Sequence, residues 1–184
     1  MTLLLLKVNR LSAVFWDVDG TLADTEMDGH RPAFNTAFKE LNLPFDWDEA
    51  LYNRLLAIPG GLRRVKLHAE AYGVTLSKKQ LDQVRDRKRV HYLERVRQGH
   101  VKLLPGVRRL LQELNRAGVQ QWIVTSSGSA SVMALIEQIQ KQIPRFDGVV
   151  TSDDVASGKP APDGYLLALK RSGANSDASL AVED

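Results

Sequence analysis

Two carboxylates stand two residues apart in Asp17-Val18-Asp19-Gly20, directly after an apolar run over residues 11–16. On an extended backbone, side chains at that spacing project to the same side. Close carboxylates repel, so one of them needs a cation or a proton. A hard divalent ion such as Mg2+ suits carboxylate and carbonyl oxygens. A proton suits a general acid beside a leaving oxygen. An ionised carboxylate is also a nucleophile that can form an aspartyl-phosphate. Gly20 allows a turn that a β-carbon would obstruct. Read alone, the pair serves equally as turn and capping residues.

Three further polar signals follow. Thr125-Ser126-Ser127-Gly128-Ser129 offers hydroxyls and backbone N–H groups to phosphate oxygens ahead of a helix, although a plain helix cap has the same composition. Lys159 lies in Ser157-Gly158-Lys159-Pro160-Ala161-Pro162-Asp163, where two prolines stiffen the loop. A rigidly held ammonium neutralises a nucleophilic carboxylate and a transferring phosphoryl group, whereas an isolated lysine is usually a surface residue. Glu183 and Asp184 close the sequence after a short apolar stretch.

The elements that must position these residues are legible from periodicity. Apolar runs of strand length cover residues 11–16, 121–125, 146–151 and 180–182. Helical spacing covers residues 31–41, 48–56, 63–72, 77–98, 107–117, 130–142 and 163–171, with Ser77 as an N-cap and Gly118 and Gly173 as stops. The alternation after residue 106 predicts an α/β fold: a Rossmann-like parallel sheet with helices on both faces. The stretch 28–98 is all-helical and too long for one crossover, so it reads as an inserted cap. The core then comprises residues 1–27 and 101–184, and the cap residues 28–100. In an open parallel sheet, ligands bind at the carboxyl ends of the strands. All four polar signals fall there.

Composition narrows the classes. The chain has 184 residues and no cysteine, which excludes a disulfide scaffold, thiolate metal sites and cysteine catalysis. A reducing, cytoplasmic setting is expected from that absence. The net charge is +3, too mild to indicate a nucleic-acid partner. Residues 77–102 hold nine Lys and Arg against three acids, which reads as a solvated helix face with little aromatic interleaving. The apolar run over residues 3–6 is too short for a signal peptide or membrane span and reads as the start of a strand. No membrane partner is expected. His30, His68, His91 and His100 share no metal-ligand spacing.

Together these residues resemble the haloacid dehalogenase-like phosphohydrolase superfamily. The carrying motifs are Val14-Phe15-Trp16-Asp17-Val18-Asp19-Gly20-Thr21-Leu22, Ile123-Val124-Thr125-Ser126-Ser127, Gly158-Lys159-Pro160-Ala161-Pro162-Asp163 and Ala181-Val182-Glu183-Asp184. The resemblance implies Asp17 as nucleophile, Asp19 as general acid/base, Thr125 and Lys159 on the phosphoryl oxygens, and Mg2+ held by Asp17, the Asp19 backbone carbonyl and Asp184. Asp19 favours phosphoryl transfer over dehalogenation. Lys66 is the nearest candidate for a Schiff-base lysine, but its surroundings do not resemble the branch that uses one. Within the superfamily the sequence is similar to the CbbY-like sugar-phosphate phosphatases, next to the β-phosphoglucomutases. Asp24-Thr25-Glu26, the segment from Gly29 and His30 to Asn35, and Gly60-Gly61-Leu62-Arg63-Arg64 carry that likeness.

By resemblance, Glu26, His30, Gly60, Gly61 and Ser126 are substrate contacts. An arginine of the glycine loop binds a distal phosphate; Arg64 matches the motif position, with Arg63 as its rival. Xylulose-1,5-bisphosphate is the favoured substrate class, and a monomer is expected. The resemblance also implies a further helix and strand after Asp184, so the core reads as truncated. A phosphomutase and a non-catalytic phosphate-binding module remain as alternatives.

Overall fold

The computed structural model describes residues 11–184. The apolar run at residues 3–6, expected to start a strand, lies outside the described residues. Compactness divides the described residues into two units, 11–25 with 102–184 and 26–101.

The first unit is built on a parallel four-stranded sheet of order β3-β2-β1-β4. Its strands are β1 (Ala13–Trp16), β2 (Gln120–Val124), β3 (Gly148–Val150) and β4 (Ser179–Val182). β1 is central, with Val14 opposite Gln121 on one side and Leu180 on the other. All four of its residues are buried, as the unbroken apolar run requires of a strand covered on both faces. Ala13 and Phe15 pack with Trp122, Val124 and Ala168, the last on helix Asp163–Ser172. The neighbouring residue Gln121 turns to the opposite face, where its amide nitrogen donates to Leu111 O at 2.9 Å on helix Val107–Arg116. Helices therefore cover both faces, as the alternating pattern predicts.

The second unit holds α1 (Arg31–Glu40), α2 (Glu49–Leu56), α3 (Gly61–Ala71) and α4 (Lys78–Arg97). The helices of the first unit are α5 (Val107–Arg116), α6 (Ser129–Ile139) and α7 (Asp163–Ser172). Aromatic residues fill the second unit: Phe34, Phe38, Phe45, Trp47 and Tyr52 share one cluster with Val65, Ala69 and Val84. The Asn35 side chain brackets the Trp47 backbone, accepting from its N–H at 2.9 Å and donating to its carbonyl at 3.0 Å. That double bond fixes the linker between α1 and α2. Ser77 caps α4 in a reciprocal box with Gln80.

The basic stretch around α4 is largely tied within its own unit. Arg87 makes a fork on Glu40 at 2.7 and 2.9 Å, Lys88 lies over the rings of Phe34 and Tyr92, and Arg95 donates to the Asp28 carbonyl. Among the described residues no helix is long and apolar enough to cross a membrane.

Three local departures from the sequence reading have physical causes. β3 begins at Gly148 rather than at residue 146, because the Asp147 carboxylate takes the Gln121 N–H that a strand carbonyl would otherwise accept. α6 stops at Ile139 rather than at residue 142, and the chain continues in a tighter turn with Gln142 N–H on Ile139 O at 2.8 Å. The segment Glu26–His30 forms a single widened π turn that apolar periodicity does not reveal.

Candidate active site

The site is assembled at the carboxyl ends of β1, β2 and β4. Asp17 N–H donates to Val182 O at 3.0 Å, continuing the β1–β4 ladder by one residue. The residues after each strand, Asp17 and Glu183, are thereby brought side by side. Lys159 Nζ bridges them, 2.7 Å from Asp17 Oδ1 and 2.6 Å from Glu183 Oε1. The ammonium also lies 5.4 Å from the ring centroid of Tyr165 on α7, whose hydroxyl bonds Glu183. The Lys159–Pro160 peptide is cis.

Asp17 is the buried member of this group. Burial pushes its carboxyl above the ordinary value; the Lys159 ammonium pulls it down, and Glu183 and Asp19 push it up again. One ammonium among three carboxylates leaves the site short of positive charge. Oxygens of Asp17, Glu183 and Asp184 lie within 4.8 Å of one another. Gly20, at φ +79°, passes so close that a β-carbon would fall 2.8 Å from Asp184 Oδ2. An all-oxygen donor set of three carboxylates fits a hard divalent cation such as Mg2+.

Asp19 is oriented by two hydroxyls. Thr25 Oγ1 donates to its Oδ1 at 2.5 Å and Ser127 Oγ donates to its Oδ2. The intervening turn is closed by Leu22 N–H on Val18 O and Gly20 N–H on Ala23 O, both at 3.0 Å. Thr125 is buried, its N–H donates to Val150 O, and its hydroxyl oxygen accepts from Ser127 N–H at 3.0 Å. Its hydroxyl proton therefore remains available to an anion, and its backbone donor does not. Ser126 is exposed.

The structure thus brings Asp17, Asp19, Thr125, Lys159 and Asp184 to one end of the sheet. It adds Glu183, Ser127, Thr25 and Tyr165, which the sequence reading did not count as site residues. Glu183 and Ser127 already stood in the polar segments without an assigned role, and Thr25 sits beside Glu26, so adjacency was its signal. Tyr165 has only its place one turn into α7.

The remaining candidates belong to the second unit. Glu26 heads the π turn, and Gly60, at φ +85°, caps α3. A β-carbon at Gly61 would meet Phe34 Cζ at 2.9 Å, so that position serves close packing. Arg63 is exposed and Arg64 buried. Arg64 donates from Nε to Leu55 O at 3.0 Å, from Nη1 to the Tyr52 hydroxyl at 3.0 Å and from Nη2 to Ile58 O at 3.4 Å. His30 packs against Tyr92 with ring centroids 4.2 Å apart. Burial, with Lys88 and Arg64 nearby, holds its imidazole well below the ordinary value, so it is neutral. Lys66 is exposed and lies 3.9 Å from Glu70.

A family model described as haloacid dehalogenase-like hydrolase matches residues 11–184. Protein CbbY of Cupriavidus necator is 40% identical over 182 residues, covering 95% of this chain and 71% of the relative. Hexitol phosphatase A of Escherichia coli is 28% identical over 175 residues, covering 95% and 75%. A crystal structure of a CbbY mutant from Rhodobacter sphaeroides, in complex with xylulose-(1,5)bisphosphate, is similar at 30% identity with a TM-score of 0.74, covering 93% of this chain and 76% of that one.

Proposed function

Because the chain belongs to the haloacid dehalogenase-like hydrolases, we propose that it is a Mg2+-dependent phosphatase of a small phosphorylated sugar, working through an aspartyl-phosphate. Xylulose-1,5-bisphosphate is the favoured substrate. The observation that carries this reading is the buried Asp17 held by Lys159, with the hydroxyl-braced Asp19 two residues on.

Lys159 holds Asp17 Oδ1, which leaves the other carboxylate oxygen to attack phosphorus. The bond from phosphorus to the sugar oxygen breaks, and Asp19 gives that oxygen its proton. In the second step Asp19 takes a proton from water, whose oxygen attacks phosphorus. The bond from phosphorus to Asp17 then breaks, and inorganic phosphate leaves. Thr25 and Ser127 occupy one Asp19 oxygen each, which limits rotation of the carboxylate during both transfers. The Thr125 hydroxyl and the Lys159 ammonium bind phosphoryl oxygens. Mg2+, when bound by Asp17, the Asp19 carbonyl and Asp184 with Glu183 beside them, would offset the repulsion between these carboxylates and an incoming phosphate dianion.

Glu26 accepts hydroxyls of the sugar, with His30 as a neutral neighbour on the same turn, the Gly60–Gly61 loop as a further contact, and Ser126 after β2 as another. Arg63 is exposed and takes the second phosphate; Arg64 works from the interior. The CbbY complex with a sugar bisphosphate supports this choice of substrate.

The test is phosphate release from xylulose-1,5-bisphosphate, the corresponding monophosphate and hexose phosphates, with and without Mg2+. Mg2+-dependent release of one phosphate, fastest from the bisphosphate, is expected. Isomerisation of a hexose 1-phosphate without net release would make the protein a phosphomutase. Ligand binding without turnover would make it a binding module.

A further inference from the structure

Tyr52 of α2 is fully buried in the aromatic core of the second unit, yet its hydroxyl is the centre of a polar network. It donates to Glu26 Oε2 at 2.5 Å and accepts from Arg64 Nη1 at 3.0 Å. The Arg64 guanidinium also lies over the Tyr52 ring, 5.1 Å from its centroid. Its Nε and Nη2 donate to Leu55 O and Ile58 O at the end of α2 and the turn beyond. Glu26 Oε2 and Arg64 Nη1 are 3.9 Å apart, too far for a good direct hydrogen bond, so the phenol mediates between them. Burial and the Glu26 carboxylate push the phenol upward from its ordinary value, and the hydroxyl stays a donor at every working pH.

The exposure within this network is graded. The Arg64 side chain is 8% exposed and that of Glu26 30%. Glu26 is thus the partner more open to solvent, and of its two carboxylate oxygens Tyr52 takes Oε2. We propose that Tyr52 is a positioning residue for sugar recognition: by holding Glu26 Oε2 it presents Oε1 outward as the atom that accepts a ligand hydroxyl. This rests on the reading of Glu26 as a sugar contact. Arg64 Nη1, 3.9 Å from Glu26 Oε2, supplies the counter-charge to that carboxylate beside an apolar core. Without the phenol, the carboxylate can rotate to meet Arg64 directly and turn its free oxygen inward.

Tyr52→Phe keeps the ring and its packing and removes only the hydroxyl. Kinetics on xylulose-1,5-bisphosphate and on p-nitrophenyl phosphate, which has no hydroxyl for Glu26, are compared for wild type, Tyr52→Phe and Glu26→Gln. For Tyr52→Phe, KM for the sugar bisphosphate should rise roughly tenfold, the loss of about one oriented hydrogen bond. kcat should change much less, and the KM for p-nitrophenyl phosphate should rise less than that for the sugar. An unchanged sugar KM in Tyr52→Phe beside a raised one in Glu26→Gln overturns the inference alone. Equal losses on both substrates, accompanied by a lower melting temperature, reduce Tyr52 to a core residue and also overturn it. An unchanged sugar KM in both variants removes the sugar-contact role of Glu26, and the inference with it.

Discussion

Arg63 and Arg64 are adjacent in sequence and opposite in environment, and this separates their consequences on mutation. Arg64→Ala deletes donors to the Leu55 carbonyl, the Tyr52 hydroxyl and the Ile58 carbonyl, and leaves Glu26 without its nearest cation. At about 1 kcal/mol for each hydrogen bond, with a further penalty for the stranded carboxylate, the loss is about 3–5 kcal/mol. At roughly 2–4 °C per kcal/mol for a chain of this size, the melting temperature falls by about 10 °C. Arg63→Ala removes an exposed side chain and should change stability by less than about 0.5 kcal/mol. It should instead raise KM for a sugar bisphosphate by roughly ten- to a hundredfold, the value of a charge-assisted contact to phosphate, with a smaller effect on the monophosphate. Circular-dichroism melting and steady-state phosphate release on both substrates read the two effects separately. A melting temperature for Arg64→Ala within about 2 °C of wild type would refute the buried-network argument. An unchanged bisphosphate-to-monophosphate KM ratio in Arg63→Ala would remove that residue from the distal phosphate.

Further outcomes follow from the core and from the buried histidines. Asp17→Asn should reduce Mg2+-dependent phosphate release to background while the protein stays folded; retained turnover would end the nucleophile assignment. Gly20→Ala, strained at φ +79° and pressing on Asp184, should weaken Mg2+ activation roughly tenfold in a metal titration, from a strain of about 1–2 kcal/mol, and wild-type activation would contradict the close approach. His30 and His68 are both held below the ordinary histidine value, His30 by burial with Lys88 and Arg64 and His68 by burial alone. The unfolded chain therefore binds more protons as pH falls through about 6.5, and folding stability should decline by at most about 1.4 kcal/mol per pH unit for each histidine. Urea unfolding at pH 7.5 and 5.5 checks this, and a double His30→Asn, His68→Gln variant should show a flatter dependence; an equal slope would locate the proton uptake elsewhere.

The sequence by itself determined the α/β fold, because strand-length apolar runs alternate with amphipathic helices after residue 106, and the run over Ala13–Trp16 suits a strand covered on both faces. It also singled out Asp17, Asp19, Lys159 and Asp184 as candidates, since they stand in spaced motifs at predicted strand ends. Ser77 was legible as a cap because capping is local: the hydroxyl and the Gln80 it meets are three residues apart. Contacts across long separations are not local, and only the tertiary structure decided them. Lys159 reaches Asp17 across 142 positions and Ser127 reaches Asp19 across 108, so neither pairing follows from local spacing. The same holds for Tyr52, an unremarked residue of α2 until Glu26 and Arg64 converge on its hydroxyl. Helical rotation decided between the two arginines: one residue of rotation, about 100° around α3, sends Arg63 to solvent and Arg64 under the turn that ends α2.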